Sequence, residues 1–135
     1  MYESKLSLLK YSVDKIFFEV NDEYDYSKAK EIKLNQDLNK TINKIDENTF
    51  KTTLNFKIYG TEEIPVPFTL SISISGLFGL EYWESEKNKQ IAEKNTVAIL
   101  FPFLRSLIAT VTANCSVPPY VMPVINVNAF ISDNK

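Results

Sequence analysis

One stretch of the chain, ILFPFLRSLIATVT at residues 99–112, has the composition of a helix that is apolar on almost every face. A helix on the surface of a globular protein typically has one apolar stripe and polar residues on its other faces. The apolar residues fall into two stripes, one of Phe101, Leu104, Ile108 and Val111 and the other of Leu100, Phe103 and Leu107. A single sheet can cover only one stripe, so the helix requires a second apolar partner surface.

The composition of the chain argues against several classes of function. The 135 residues have the size of a single domain, which we place at residues 1–135. A net charge of −2 without a basic block argues against nucleic acid as a partner. The chain has no histidine, and its one cysteine, Cys115, cannot form an internal disulfide. Three glycines are too few for a phosphate-binding loop, so we predict no enzyme, no metal and no cofactor.

The N-terminal residues carry charges where a signal peptide has an apolar core. Residues 106–132 lack charge, but Pro118, Pro119 and Pro123 interrupt this stretch. Prolines so closely spaced break a membrane-spanning helix. We therefore predict a cytoplasmic protein without membrane insertion.

Alternating apolar and polar residues predict four strands, at residues 13–20, 31–42, 49–59 and 66–75. The first strand places Ile16, Phe18 and Val20 on one face, with Val13 out of phase. A residue out of phase indicates a bulge or a bend. Polar turns separate the strands, and the simplest arrangement is an antiparallel sheet with one polar face.

The region after the fourth strand changes character at SGLFGLEYW, residues 75–83. The charged segment that follows fits a short helix or a loop. Asn95 or Thr96 can cap the apolar helix, which would then begin at about Ile99 or Leu100 and keep Pro102 in its first turn. Strands followed by a helix predict an α+β fold, with the long helix packed on the sheet. Either a second subunit or the C-terminal segment must cover the other stripe, and we favour an oligomer.

These motifs resemble the SecB family of protein-export chaperones. The helix start has the family's pattern at Ile99, Leu100, Phe101, Pro102, Phe103 and Arg105, and the later segment has it at Pro123, Asn126, Ala129 and Phe130. The strand order agrees as well, so the resemblance covers about residues 11–131. It implies a SecB-like fold, with a four-stranded antiparallel sheet backed by helices and a dimer of dimers assembled through the long helix. In that assembly Phe101, Leu104, Ile108 and Val111 would form the oligomer interface.

The resemblance implies an ATP-independent holdase that binds unfolded polypeptides in hydrophobic grooves and is linked to protein export. The alternative is a dedicated SecB-like adaptor for one partner, such as an antitoxin or a mobile-element protein. Carried onto this chain, the family's client groove corresponds to Tyr24, Tyr26, Phe68, Leu77, Phe78, Leu80, Tyr82 and Trp83. Core packing competes with this assignment for Phe68 and Phe78.

Docking to the export motor SecA uses acidic residues on the polar face of the sheet in that family. Glu19 matches one of these positions, whereas Ser71 occupies the acidic position of the fourth strand. The polar face here is rich in serine, threonine, lysine and asparagine. The sequence therefore argues against SecA docking and favours a divergent SecB-like protein.

Overall fold

The structure is a computed structural model that describes residues 5–25 and 35–115. Its elements are β1 (Ser7–Val20), β2 (Asn35–Asp46), β3 (Thr49–Tyr59), β4 (Phe68–Gly79), α1 (Glu86–Gln90), a π-helical turn (Ile91–Asn95) and α2 (Thr96–Asn114). The strands form one antiparallel sheet in the order β1-β4-β3-β2. The predicted α+β fold, with a four-stranded antiparallel sheet and a long helix, is confirmed.

The two central strands follow the alternation seen in the sequence. Their inward side chains form the core of the sheet: Phe50, Leu54, Phe56 and Ile58 on β3, and Phe68, Leu70, Ile72 and Ile74 on β4. The outward side chains are polar and bond across the strands. Asn55 donates to Asn39 on β2 at 3.0 Å and accepts a hydrogen bond from Ser73 on β4 at 2.6 Å. The sheet therefore has one apolar and one polar face.

Strand β1 contains two irregularities in its pairing with β4, between Leu8 and Lys10 and between Val13 and Lys15. The second is the bulge that the phase of Val13 predicts. Each bulge inserts one extra residue, so the apolar side chains on both sides of the bulge lie on the same face of the sheet. The strand therefore continues through both bulges. The strand begins at Ser7, whereas the sequence pattern predicts a start at residue 13. The prediction starts too late because a bulge interrupts the alternation of apolar and polar residues.

Strand β2 continues past its predicted end. It is described over Asn35–Asp46, whereas the alternation predicts residues 31–42, of which residues 31–34 lie outside the described part of the chain. Leu38 and Ile42 pack against the core as expected. Ile32 and Leu34, which the pattern places on the same face, lie outside the described residues.

The long helix begins earlier than predicted. Asn95 has helical backbone angles and makes no side-chain cap bond, because the π-helical turn joins α1 directly to α2. The N-cap is Ser85, whose side chain accepts a hydrogen bond from the Asn88 amide. Pro102 thus lies inside α2, at an exposed position. The hydroxyl of Thr96 is buried, where it accepts from Thr52 at 3.1 Å and donates to the Ala92 carbonyl.

The core lies between α2 and the central strands. A methyl group at Gly76 would come within 2.6 Å of the Phe78 ring and 3.1 Å of Leu100, so glycine permits this close approach of helix and strand. Burying a side chain such as Leu100 stabilises the fold by about 1.5–3 kcal/mol. By length and composition the helical run Glu86–Asn114 could cross a membrane. Here 39% of its most apolar window is buried inside the chain, and this buried part packs on the sheet.

Three of the four residues predicted to form the oligomer interface are buried within the single chain. Leu104 and Ile108 are fully buried against the chain's own sheet, and Phe101 is 6% exposed. They offer no surface to another subunit. Val111 is half-buried and packs on the same core. The helix instead exposes part of its second stripe: Phe103 is 44% exposed, and Ile99 and Leu107 are half-buried.

Candidate polypeptide-binding surface

The edge strand β1 carries an apolar face on the side of the sheet that α2 covers elsewhere. Pairing aligns Val13, Ile16 and Val20 with buried residues of β4, namely Ile74, Ile72 and Phe68. The β4 side chains are buried, yet their β1 counterparts are between 43% and 49% exposed. The difference arises because α2 packs on β3 and β4. Strand β1 therefore leaves apolar side chains facing solvent.

An aromatic contact joins this strand to the helix. The rings of Tyr11 and Phe103 are stacked, with centroids 4.7 Å apart. Phe103 extends the exposed apolar area of β1 onto the outer stripe of α2. We call this combined area the open apolar surface, and its members are Leu8, Tyr11, Val13, Ile16, Val20 and Phe103.

The open apolar surface is uncharged at neutral pH, because its members are aliphatic, aromatic or phenolic. Burial raises the pKa of the Tyr11 phenol above its ordinary value of 10.0, and the nearby Asp14 carboxylate raises it further. Asp14 itself lies at the bulge on the polar side, where it accepts hydrogen bonds from Ser12 and Ser75. The surface can therefore bury apolar side chains of another chain at about 25 cal/mol per Å².

Four of the side chains predicted to bind clients belong to the core. Phe68, Phe78 and Leu80 are at most 3% exposed, and Trp83 is 9% exposed. The indole of Trp83 packs 4.6 Å from the Phe50 ring and donates to the Asp46 carbonyl at 2.9 Å. The segment after β4 folds against the end of the sheet, which closes the groove that the resemblance implies at these residues. In this structure these four side chains therefore lie in the core, and their assignment to a groove stays a prediction.

The other predicted contacts are dispersed. Leu77 points to the polar face, because it pairs with Lys10 and Lys51, and it is half-buried. Tyr24 is half-buried in the segment after β1, and Tyr82 is 58% exposed at the opposite end of the sheet. Tyr26 lies outside the described residues. The structure does not bring the predicted contacts together in one groove.

Glu19, the predicted docking residue, lines an open cleft of about 770 Å³ where β1 ends. Asp22, Glu23 and Glu62 line the same cleft, and the other described residues that line it are uncharged. Asn21 shapes this end of the sheet by donating to the carbonyls of Pro67 and Val66, at 2.8 and 2.9 Å. Among the described residues, Glu19 thus belongs to an acidic end of the molecule, and the serine-rich face lies beside it.

Sequence reasoning missed the main members of the open apolar surface. The alternation of the first strand places Ile16 and Val20 on an apolar face, but a pattern does not tell whether another element covers that face. Phe103 belongs to the second stripe of the helix, which was the alternative to the stripe assigned to the interface. One signal in the sequence could have found this surface. Both the first strand and the helix carry more apolar residues than one contact between them and the rest of the chain would bury.

Comparisons with known proteins agree with the fold. A family model described as SecB, preprotein translocase subunit SecB, matches residues 2–135. An uncharacterized protein of Methanocaldococcus jannaschii is 34% identical over 131 residues, covering 95% of this chain and 83% of that protein. The protein-export protein SecB of Acinetobacter baylyi is 26% identical, covering 98% and 87%. That of Cellvibrio japonicus is 29% identical, covering 77% of this chain and 62% of its own length.

A solved structure is also similar. A Mycobacterium tuberculosis SecB-like chaperone in complex with a ChAD peptide from the HigA1 antitoxin has a TM-score of 0.66, covering 90% of this chain and 88% of that one. Its sequence identity is 12%, so this likeness concerns the fold. The family model, in contrast, spans nearly the whole sequence. The chain therefore belongs to the SecB family.

Proposed function

We propose that this protein is a cytoplasmic holdase that binds unfolded polypeptides without chemical turnover. The observation that carries the proposal is the open apolar surface, where four β1 side chains and Phe103 are each at least 37% exposed. A protein that holds nonnative chains needs accessible apolar area with a polar surround. It acts by binding the unfolded state, which shifts the folding equilibrium by mass action.

The proposal includes a homo-oligomer arranged as a dimer of dimers. Part of the exposed stripe of α2 would be covered by another copy, with Ile99, Leu107 and Val111 at the contact and Phe103 left in the open apolar surface. This contact would take the place of the predicted one through Leu104 and Ile108, which are buried in the chain's own core. Sedimentation of Leu107→Asp tests the contact, because a charge buried without a partner opposes association. We expect a smaller particle, and an unchanged assembly would exclude Leu107 from the interface.

The client surface is tested by suppression of aggregation of an unrelated unfolded protein at stoichiometric amounts. Ile16→Lys places a charge at the centre of the open apolar surface, where client residues would be desolvated. We expect this variant to require about tenfold more protein for the same protection, which corresponds to about 1.4 kcal/mol.

Phe17→Lys is the matched control for Ile16→Lys. Phe17 neighbours Ile16 on the same strand and is similarly exposed, at 44% against 49%, but it pairs with Ser71 on the polar face. We expect protection by Phe17→Lys to equal that of the wild type. Equal loss in both variants would show that the effect does not depend on the face, and failure of the wild type with several clients would reject the holdase.

A dedicated adaptor for one partner is the second candidate. It is favoured by the similar structure of a SecB-like chaperone that holds an antitoxin peptide. Both functions would use the open apolar surface and differ in selectivity. Comparing the affinity for several unrelated unfolded proteins separates them, since an adaptor binds its own partner at least about a hundredfold more tightly.

A link to protein export is a further part of the proposal. The family includes proteins named for protein export. Glu19 would lie at the motor contact, within the acidic end of the molecule. The serine-rich polar face argues against docking of the usual kind, and Glu19→Lys with purified SecA would test the contact. We expect at most weak binding of the wild type.

A further inference from the structure

The polar face of the sheet carries two leucines near the end of β4. Leu77 points to this face, because it pairs with Lys10 on β1 and Lys51 on β3, and it is half-buried. Leu9 is the unpaired residue at the first irregularity of β1 and is 57% exposed. A methyl group at Gly79 would lie 3.5 Å from the Leu9 side chain, so Leu9 lies on the same face as Leu77. The bulge therefore directs a leucine onto a face that is otherwise polar.

Two lysines stand on either side of Leu77. Lys10 is exposed and Lys51 is half-buried, and neither forms an ion pair with another residue that the structure describes. Neighbouring strands lie about 4.8 Å apart, so side chains on β1 and β3 stand about 10 Å apart, with β4 between them. A segment that covers Leu77 would thus come within reach of both ammonium groups.

Two carboxylates on the polar face have hydrogen-bond donors of their own. Asp14 accepts hydrogen bonds from Ser12 and Ser75 at the second irregularity of β1. Asp46 accepts a hydrogen bond from the Asn48 amide at 2.8 Å in the turn after β2. These bonds hold the carboxylates near their own donors, so Lys10 and Lys51 remain available to an anionic partner.

The charge of the polar face differs between its two ends. Where β1 finishes, the described residues form the acidic cleft that Glu19 lines. A negatively charged ligand is repelled from that end and attracted to the end that carries Lys10 and Lys51. Leu9 and Leu77 would lose contact with water when they bind an apolar side chain, which favours a ligand that is both apolar and acidic.

We propose that Leu9, Lys10, Lys51 and Leu77, which we call the leucine–lysine patch, dock a short segment of a partner protein in which an apolar side chain is flanked by aspartate or glutamate. The apolar side chain covers the leucines, and the acidic residues reach the lysines on either side. The patch lies on the opposite face of the sheet from the open apolar surface. Docking of this partner is therefore separate from holdase function and does not compete with a client.

The probe is a labelled peptide in which a Leu-Phe pair is flanked on both sides by glutamates, and fluorescence anisotropy measures its Kd. One control peptide has lysines in place of the glutamates, and a second has alanines in place of the Leu-Phe pair. We expect the full-length wild type to bind the acidic peptide at least about fivefold more tightly than either control. Binding should weaken in about 1 M salt, because the screening length falls to about 3 Å.

Lys10→Glu combined with Lys51→Glu reverses both charges of the leucine–lysine patch. We expect a Kd for the acidic peptide about tenfold higher than that of the wild type. The matched control is Lys15→Glu combined with Lys57→Glu, which makes the same change in net charge on the same two strands and the same face. These lysines lie nearer the acidic end of the sheet, so we expect a Kd within about twofold of the wild type.

Leu9→Ser tests the apolar part of the patch, because Leu9 is exposed and its loss leaves the core intact. We expect a Kd about three- to fivefold higher with an unchanged thermal unfolding midpoint. Ile16→Lys, which alters the open apolar surface on the other face, should not weaken binding of the acidic peptide. Weaker binding in Ile16→Lys would show that the peptide occupies the client surface, and the patch would be rejected.

Three other outcomes overturn the proposal. The wild type fails to bind the acidic peptide, it binds the lysine-flanked peptide equally well, or the two lysine pairs give equal losses, which would make net charge the cause. None of these outcomes bears on suppression of aggregation, which is measured with unfolded proteins. The holdase and the docking of an acidic partner therefore stand or fall separately.

Discussion

The two edge strands of the sheet, β1 and β2, differ in the side chains that they carry on their inward faces. On β2, the lysines Lys40 and Lys44 alternate with Leu38 and Ile42. Lys40 donates to the Glu93 carbonyl in the π-helical turn at 3.3 Å, and Lys44 pairs with Glu84 at 2.6 Å. On β1 the inward residues are apolar, and several face solvent. Lysine blunts an exposed sheet edge, so β2 is protected against association and β1 is open to it.

This difference supports the proposed client-binding surface on β1. Both strands lie at an edge of the sheet and have one unpaired side, so their position alone does not explain why one is open to association with other chains and the other is protected. What separates them is side-chain chemistry, together with the hydrogen bond from Lys40 to the π-helical turn on the β2 side. A SecB-family protein that holds nonnative chains needs one such unprotected face, and it must protect the other to avoid uncontrolled association.

The largest expected effect comes from α2, which lies between the two edges. Leu104 is fully buried, whereas its neighbour Phe103 is exposed towards β1. Leu104→Ala should lower the free energy of unfolding by about 2–5 kcal/mol through loss of burial and creation of a cavity. Phe103→Ala should lower it by less than about 1 kcal/mol in the dissociated chain. Urea unfolding at low protein concentration measures both, and equal losses would contradict the separation of the helix into two faces.

The second prediction concerns a variant in which the inward face of β2 becomes apolar, as it is on β1. Lys40→Leu combined with Lys44→Leu removes both cations from the inward face, and we expect self-association about tenfold tighter, or about 1.4 kcal/mol. Sedimentation over a range of concentrations measures this change. The double variant Lys51→Leu and Lys57→Leu removes the same charge from the polar face of β3 and serves as the control. If both pairs behave alike, net charge rather than edge protection governs association.

The third prediction concerns the bulge that keeps the apolar residues of β1 on one face. Asp14→Ala removes an acceptor for the hydroxyls of Ser12 and Ser75, of which Ser75 is buried. We expect a loss of about 1 kcal/mol in stability. Amide hydrogen exchange should be faster in β1 than in the wild type, with β2 unaffected. Uniform loss of protection over the sheet would show that the bulge has no local role.

The smallest effect is a dependence on alkaline pH. The folded-state pKa of Tyr11 is raised, so the folded protein retains the phenol proton more strongly than the unfolded chain does. The resulting stability is fully present below pH 10.0, the ordinary value, and is lost as the pH rises through the raised pKa. Unfolding of Tyr11→Phe followed from pH 8 to 11 should show a shallower decline than the wild type. Identical slopes would contradict a neutral phenol on β1.

Much of the fold follows from local patterns. The alternation of β3 predicts its bounds, and the phase of Val13 predicts a bulge in β1. Strand β4 runs from Phe68 to Gly79, whereas the alternation predicts residues 66–75. Helix boundaries were harder, because a π-helical turn merges two helical segments without a capping residue between them. The N-terminal half of β1 was missed since Leu9 interrupts the alternation at the first irregularity.

The candidate site was predicted less well than the fold. Of the residues assigned to client binding, Tyr82 is exposed, whereas Phe68, Phe78, Leu80 and Trp83 are buried. Aromatic residues suit a binding groove and a protein core equally, because both remove apolar area from water. The role of Trp83 depends on whether its indole finds a buried acceptor, and Asp46 supplies one.

The sequence by itself determined the α+β fold, the apolar surplus of the long helix and the polar face of the sheet, since these follow from side-chain periodicity along one element. The tertiary structure alone decided which apolar residues are core and which remain exposed. A helix that is apolar on nearly every face can pack in several rotations about its axis. In the observed rotation Leu100 approaches Gly76 closely, Leu104 is buried and Phe103 lies beside β1.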